Sequence, residues 1–341
     1  MVTDRYARQR RFGPIGSVGQ ARIGAARVTL IGCGALGSGA ANLLVRAGVG
    51  HLTVIDRDYV ELSNLQRQVL FDETHLDGPM PKAVAAADVL RRINGNVTIE
   101  PLVTDVHGGN VEALIAEADV VVDGSDSIET RHIINEAAVK RGVPWVYGGV
   151  VGSTGMSMTV RPGATPCLRC VFPHPPAPGA LPTCETAGVI GPAVETVAAI
   201  QAVETIKLLT GNEASLHGGL VNVDLWAVSM ETVPVGRPRP GCPTCGRRAF
   251  PLLGGSSRRS VTLCGRDAMQ VSAEFASAVD LPALASRLDP LGEVHLTPFL
   301  LRFAPSESPR PLTVFPDGRA IVHATTDAAV ARADYARWIG H

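Results

Sequence analysis

The chain has 341 residues, is 45% hydrophobic and carries a formal charge of −1, which is enough for a sizeable core and predicts one large domain with a smaller one beside it. With 31 Lys and Arg against 32 Asp and Glu there is no global basic field to hold nucleic acid or an anionic membrane surface, so any anion must be held locally. The polar start MVTDRYARQRRF lacks the core of a signal peptide, and no uninterrupted apolar run reaches the about eighteen residues of a membrane span, so the expected compartment is cytoplasmic.

Apolar runs at 27–32, 51–56, 97–103, 118–123 and 144–150 alternate with helix-like stretches at 36–47, 82–94, 110–117 and 127–141. That alternation predicts an α/β fold with a doubly wound, Rossmann-like, mostly parallel sheet. The stretch 154–161 alternates like an exposed strand, and 171–184 holds too many Pro and Gly for either regular element, so it reads as a mobile loop. A long apolar helix then begins near Pro192 and stops at Gly211, followed by a further strand in GGLVNVDLW. The texture changes at LLGGSSRRS, which places the large domain at 1–251 and a small α+β C-terminal domain at 252–341. The second segment shows strand, strand, helix, strand, strand, helix patterns and a hairpin turning at Asp317-Gly318. It carries no catalytic constellation and reads as a packing or partner-docking unit.

The run GCGALG places Gly32, Gly34 and Gly37 in G-x-G-x-x-G register between a strand and a helix, with Asp56 ending the next strand. Backbone N–H groups at such a helix start hold phosphate, and the carboxylate accepts from ribose hydroxyls. A nucleotide site follows, its nucleotide unspecified. A dehydrogenase needs nothing charged after Asp56, yet Asp58, Ser63, Asn64, Arg67 and Gln68 come next, and then Lys82. Guanidinium and ammonium groups there suit a polyphosphate longer than the pyrophosphate of NAD, and would neutralise charge growing on a departing pyrophosphate. Only three lysines occur, Lys82, Lys140 and Lys207, which gives each some weight.

Seven cysteines, odd in number and clustered, argue for metal and thiol chemistry in a reducing compartment. Cys167-x-x-Cys170 and Cys242-x-x-Cys245 form two knuckles that satisfy one tetrahedral Zn²⁺. Redox pairs or ordinary buried thiols are the alternatives, and neither pair has a thioredoxin-like context. Cys33 and Cys264 read as small buried apolar residues.

RYARQ at 5–9, GCGALG, DRDYVELSNLQRQ, PKA, DGSDSIETR at 123–131, both CxxC pairs and CETAGVIGPAVE at 184–195 follow one another in an order that resembles the ThiF/MoeB family, bacterial relatives of ubiquitin-activating enzymes. LCGRDAMQ and FPDGRAIVHATTDAAVA resemble the extra C-terminal domain of Bacillus-type ThiF proteins. The resemblance implies a sulfur-carrier protein adenylyltransferase. ATP would adenylate the C-terminal Gly-Gly carboxylate of a ubiquitin-like sulfur carrier (ThiS/MoaD-like), releasing pyrophosphate on the way to thiamin or the molybdenum cofactor. It implies that Asp56 holds the ribose and that Ser63, Asn64, Leu65, Gln66 and Arg67 contact the nucleotide and phosphates. Arg67 and Lys82 would hold the triphosphate and Asp126 the Mg²⁺. Asp126 follows a strand at the carboxyl edge, where ligands of this fold sit, and could equally cap a helix with Glu129 in the capping box. Ser127 and Ala35 depart from the Asn and Gly common at those positions. Arg8 falls where the family has an arginine reaching the partner subunit's nucleotide, implying a homodimer. Cys184 matches a cysteine that accepts the activated carrier or takes part in sulfur transfer, and its alternative is a bystander. No rhodanese-like domain is appended, so a separate sulfur donor is expected. Two other readings remain open from the residues: an NAD-dependent oxidoreductase with a zinc-stapled second domain, and a non-catalytic carrier-binding scaffold, which would require the set Arg67, Lys82 and Asp126 to be broken.

Overall fold

The computed structural model describes residues 4–174, 186–254, 260–262, 267–271 and 279–340. The chain divides into two compact units, Met1–Asp77 with Pro81–Gly255, and Gly78–Met80 with Ser256–His341.

In the first unit two helices, α1 (Ala7–Arg11) and α2 (Gly16–Ala25), lead into β1 (Arg27–Ile31), α3 (Ala35–Ala47) and β2 (His51–Asp56). After a long segment come α4 (Lys82–Ile93), β3 (Thr98–Val103), the short α5 (Val111–Leu114), β4 (Val120–Asp123), α6 (Ile128–Arg141) and β5 (Trp145–Val151). The chain continues through β6 (Thr154–Val160), the single turn α7 (Leu168–Val171), α8 (Gly191–Thr210), β7 (Leu220–Asp224) and β8 (Ser229–Val233). One eight-stranded sheet runs in the order β3-β2-β1-β4-β5-β6-β7-β8. The first five positions pair in parallel and the last three strands add an antiparallel meander. Strand order reverses between β1 and β4, where a sheet of this kind opens a crevice beyond its carboxyl edge.

Helix α5 is shorter than the pattern at 110–117 predicts, because Ala116 and Ala118 donate three residues back, to Ala113 and Ile115, before Asp119 N–H reaches Arg27 O to start β4. The strand at 154–161 is a second correction. It is interior and mostly buried, since α8 crosses β5 and β6 where Gly148 and Gly155 leave room: an added Cβ would lie 2.5 Å from Gln201 and 2.4 Å from Val197. The polar residues that mimic a solvent face find buried acceptors, Ser157 Oγ donating to Tyr147 O at 2.9 Å and Thr159 Oγ1 to Glu204 Oε2 at 2.9 Å. Helix α8 ends at Gly211 with φ 77°, the left-handed cap its sequence announces.

In the second unit β9 (Ser260–Thr262), β10 (Ala268–Val271), α9 (Leu281–Leu288), β11 (Gly292–Leu296), β12 (Leu301–Pro305), β13 (Leu312–Val314), β14 (Ala320–His323) and α10 (Ala328–Trp338) form an antiparallel sheet, order β11-β12-β13-β14-β10-β9, with two helices. Four strands rather than two separate the helices. The Thr297 turn, whose Oγ1 accepts from Phe299 and Leu300 N–H, splits one run into β11 and β12. The hairpin at Asp317-Gly318 is present, with Gly318 at φ 82° and Phe315 N–H donating to Arg319 O. Phe303 packs edge-on against Trp338 at 5.3 Å, at the centre of this unit's core.

Across the switch point the backbones of three glycines touch. A Cβ on Gly37 would lie 1.9 Å from Gly32 O, and one on Gly124 would lie 2.3 Å from Gly32 O and 2.8 Å from the Gly37 Cα. Gly124→Ala is therefore expected to lower the unfolding free energy by about 1–3 kcal/mol through overpacking and to weaken nucleotide binding, as read by thermal melting with and without ATP.

Candidate nucleotide site and thiolate centre

The glycine loop leaves β1 with Gly32 at φ 87°, a conformation other residues resist. Gly34 is the N-cap of α3 and has no side chain to satisfy the first N–H groups of the helix, which stay available to an anion. Ala35 opens the helix without blocking that approach. Cys33, between the glycines, is fully buried; burial pushes its thiol up, with the Asp56 carboxylate adding, so it is inert.

Asp56 ends β2 with both carboxylate oxygens engaged by backbone: Cys33 N–H donates to Oδ2 at 2.6 Å and Asp58 N–H to Oδ1 at 2.7 Å. Burial raises its pKa, while the Lys82 charge and those two hydrogen bonds oppose the rise. Lys82, the first residue of α4, is itself buried, its Nζ 3.5 Å from Asp58 Oδ2 and its N–H donating to Asp58 O at 2.8 Å. A bridge between Tyr59 and Pro81 holds the two segments together.

The segment 62–68 opens with a short 3-10 turn, Leu62–Asn64. Glu61 N–H donates to the Asn64 side-chain oxygen at 3.2 Å, so buried Asn64 closes a capping box and fixes the loop. Ser63 and Gln66 are exposed and Leu65 is half-buried. The Arg67 guanidinium donates from Nη1 to Ser63 O at 2.9 Å, and its backbone N–H to Asn64 O at 3.1 Å. Gln68 is buried beside Gly34, with its Oε1 unpartnered. The start of α8 backs this loop: a Cβ on Gly191 would lie 3.3 Å from Gln66 O.

Beyond β4, Ser127 caps α6, its Oγ accepting from Thr130 N–H at 3.3 Å. Asp126 is thus not the cap, and its carboxylate is exposed at the crevice. The acid before it, Asp123, is fully buried; burial raises its pKa against the Arg131 guanidinium at 3.4 Å and the Ser125 hydroxyl at 2.6 Å. Gln201 on α8 donates to Asp123 O at 2.7 Å and Val146 O at 3.2 Å, tying the ends of β4 and β5 to that helix.

Arg57 is a component the sequence pattern does not single out. Burial works against its charge, but the carboxylates of Asp105, Asp58, Asp126 and Asp56 outweigh burial and raise its pKa, Asp105 being 3.1 Å away. It places a cation among four acids belonging to three neighbouring strand ends. Its neighbour Asp56 carries the recognisable signal; Arg57 has none of its own.

Arg8 is exposed on α1, which is anchored by its neighbours: Asn94 Nδ2 donates to Tyr6 OH at 2.8 Å and Gln9 Nε2 to Ala47 O at 2.9 Å. Cys184 and Cys264 lie outside the described residues, as does most of the loop predicted at 171–184.

The sulfur atoms of Cys167, Cys170, Cys242 and Cys245 all lie within 4.8 Å of one another, with 3.7 Å between Cys167 and Cys242 and 3.3 Å between Cys170 and Cys245. Four sulfurs at Zn–S bonds of about 2.3 Å stand about 3.8 Å apart, so the set fits one tetrahedral ion. Burial pushes the Cys167 thiol up to about 11, with the charges of Cys170 and Cys242 adding. Burial also acts to raise Cys170, but the Arg239 backbone N–H and the Cys245 side chain bring it down to about 7. The Cys170 thiolate forms readily, whereas Cys167 and Cys245, both pushed up chiefly by burial, need a cation.

A glycine cradle, a buried carboxylate and a buried lysine at a sheet's switch point are the features of a nucleotide-binding α/β protein. The model of the ThiF family matches residues 6–244, and the chain belongs to that family. It is 44% identical to the sulfur carrier protein ThiS adenylyltransferase of Bacillus subtilis over 342 residues, 99% of this chain and 100% of that one. It is 42% identical to the SAMP-activating enzyme E1 of Haloferax volcanii over 245 residues, covering 71% of this chain and 88% of that protein. The crystal structure of E. coli MccB with ATP shares the fold, with a TM-score of 0.61 at 22% identity, over 72% of this chain and 74% of that one. Among the described residues no helix is long and apolar enough to cross a membrane.

Proposed function

We propose that this protein adenylates the C-terminal Gly-Gly carboxylate of a ubiquitin-like sulfur carrier at the expense of ATP, releasing pyrophosphate. The observation that carries the reading is the buried Lys82 amine, 3.5 Å from Asp58 and beside the glycine loop, in a chain related over its whole length to a ThiS adenylyltransferase. That relative favours a ThiS-like carrier and thiamin synthesis over a MoaD-like carrier and the molybdenum cofactor. A separate sulfur donor would complete the transfer, and the cytoplasm remains the expected compartment.

In this reading the N–H groups at the start of α3 receive the phosphates, and Asp56, held by two backbone N–H groups, faces the ribose. A carrier carboxylate oxygen bonds to the α-phosphorus, the bond from that phosphorus to the bridging oxygen breaks, and its electrons leave with pyrophosphate. Lys82 and Arg67 stabilise the charge that accumulates on the leaving group. The exposed Asp126 carboxylate would hold Mg²⁺, which when bound supplies positive charge to the phosphate oxygens. Lys82→Ala and Arg67→Ala should each slow carrier-dependent ATP–pyrophosphate exchange by roughly a hundredfold or more with unchanged circular dichroism; near-normal exchange in both would sink the assignment.

We assign Arg8 to the site of a second subunit, because an anchored helix presents it outward. Mixing Arg8→Ala and Lys82→Ala chains would then create heterodimers with one intact site, restoring about a quarter of wild-type activity in a random mixture of homodimeric proteins. Activity no greater than the sum of the separate variants would place Arg8 in cis or outside the site.

The four thiols hold structural Zn²⁺, with no open position for chemistry. Cys242→Ser should lose the metal in atomic absorption and melt at lower temperature, whereas undiminished zinc would exclude the four-cysteine centre. Cys184 stays proposed as a carrier or sulfur acceptor.

A further inference from the structure

Helix α6 approaches the thiols with a side chain whose polar groups are half used. Asn135 is fully buried, and its Oδ1 accepts from Leu168 N–H at 2.9 Å, inside the first Cys-x-x-Cys knuckle. Its Nδ2 is buried without a hydrogen-bond partner, and the amide lies at the peptide that immediately follows Cys167. One residue further, Glu136 accepts from Leu252 N–H at 2.8 Å and from Arg169 at 3.3 Å, gripping the first knuckle and the chain that follows the second. A buried amide N–H is costly without an acceptor, and a metal-bound thiolate is such an acceptor.

We infer that Asn135 is the positioning residue of the thiolate centre, its oxygen fixing the Leu168 backbone and its Nδ2 donating a hydrogen bond to the Cys167 sulfur once the four thiolates bind their metal. The inference rests on the zinc reading given above and is independent of the reaction. The ligand is a soft divalent cation, and the donated bond orients a buried thiolate while withdrawing charge from it.

Asn135→Asp separates the two functions, since it keeps an acceptor for Leu168 and removes the donor. Competition of the purified full-length chain for Zn²⁺ against a chromophoric chelator should show affinity about 10–100-fold weaker than wild type. In the Co²⁺-substituted protein the sulfur-to-metal charge-transfer band should move to lower energy. A folded variant with wild-type competition and an unshifted band would overturn the inference. A measurement on the wild type alone covers a variant that does not fold: in the ¹¹³Cd-loaded protein, an Asn135 side-chain amide proton should show scalar coupling to the metal, and an assigned proton without coupling would also overturn it. A wild-type chain that takes up no metal would instead remove the thiolate centre itself, a result the competition assay reports separately.

Discussion

The nucleotide site depends on a contact in which no side chain takes part. The backbones of Gly32, Gly37 and Gly124 press together where β1 and β4 diverge, with the imagined Cβ of Gly37 only 1.9 Å from Gly32 O. Because nothing larger than hydrogen intervenes, the loop after β4 is drawn against the loop after β1. Gly124 N–H donates to Ile31 O at 2.8 Å and Gly32 N–H to Ile55 O at 2.7 Å, so three strand ends are stitched into one rim. Asp56 and Asp126 reach the same crevice through that stitching, from opposite sides of the switch point.

On this rim the charges are arranged against local preference. Lys82 opens α4, where the helix dipole favours an anion, and its amine is almost fully buried. Four carboxylates, Asp56, Asp58, Asp105 and Asp126, surround Arg57. These carboxylates hold the Arg57 charge in place against burial, and fixed charges act strongly on a reacting phosphate without reorganising. Local rules broken together at one place mark a site shaped for a ligand rather than for the fold alone.

Much of this was legible in the amino-acid sequence, and the remainder was hidden for physical reasons. The strands read at 27–32 and 51–56, the helix stop at Gly211 and the paired knuckles follow from period, turn chemistry and spacing, all local properties. Gly124 was not singled out because its reason is a backbone neighbour 87 residues away in the glycine loop, Gly37. Arg57 looks like any surface arginine until three strand ends converge on it. The strand β6 reads as exposed because Ser157 and Thr159 alternate with apolar residues, and only the position of Tyr147 and Glu204 shows that their hydroxyls point inward. Asn64 illustrates the reverse case: it belongs to a recognisable polar run, yet its amide oxygen is spent on the turn that carries Arg67. A polar run with the composition of a ligand site therefore contains both ligand groups and their scaffolding, and composition alone does not separate them.

The same distinction bears on the four clustered thiols, whose spacing fits one tetrahedral ion. Helix α6 begins beside Asp126, fixes Asp123 and Ser125 through Arg131, and a turn later holds the first knuckle through Asn135 and the chain after the second through Glu136. Its two ends serve different chemistry but share one rigid backbone. The stretch His132–Val139 of α6 is buried, and a four-coordinate ion held by the two knuckles would tie segments 71 residues apart to that same part of the helix. Metal bound there would be felt at a distance, in how firmly the start of α6 presents Asp126 to the crevice.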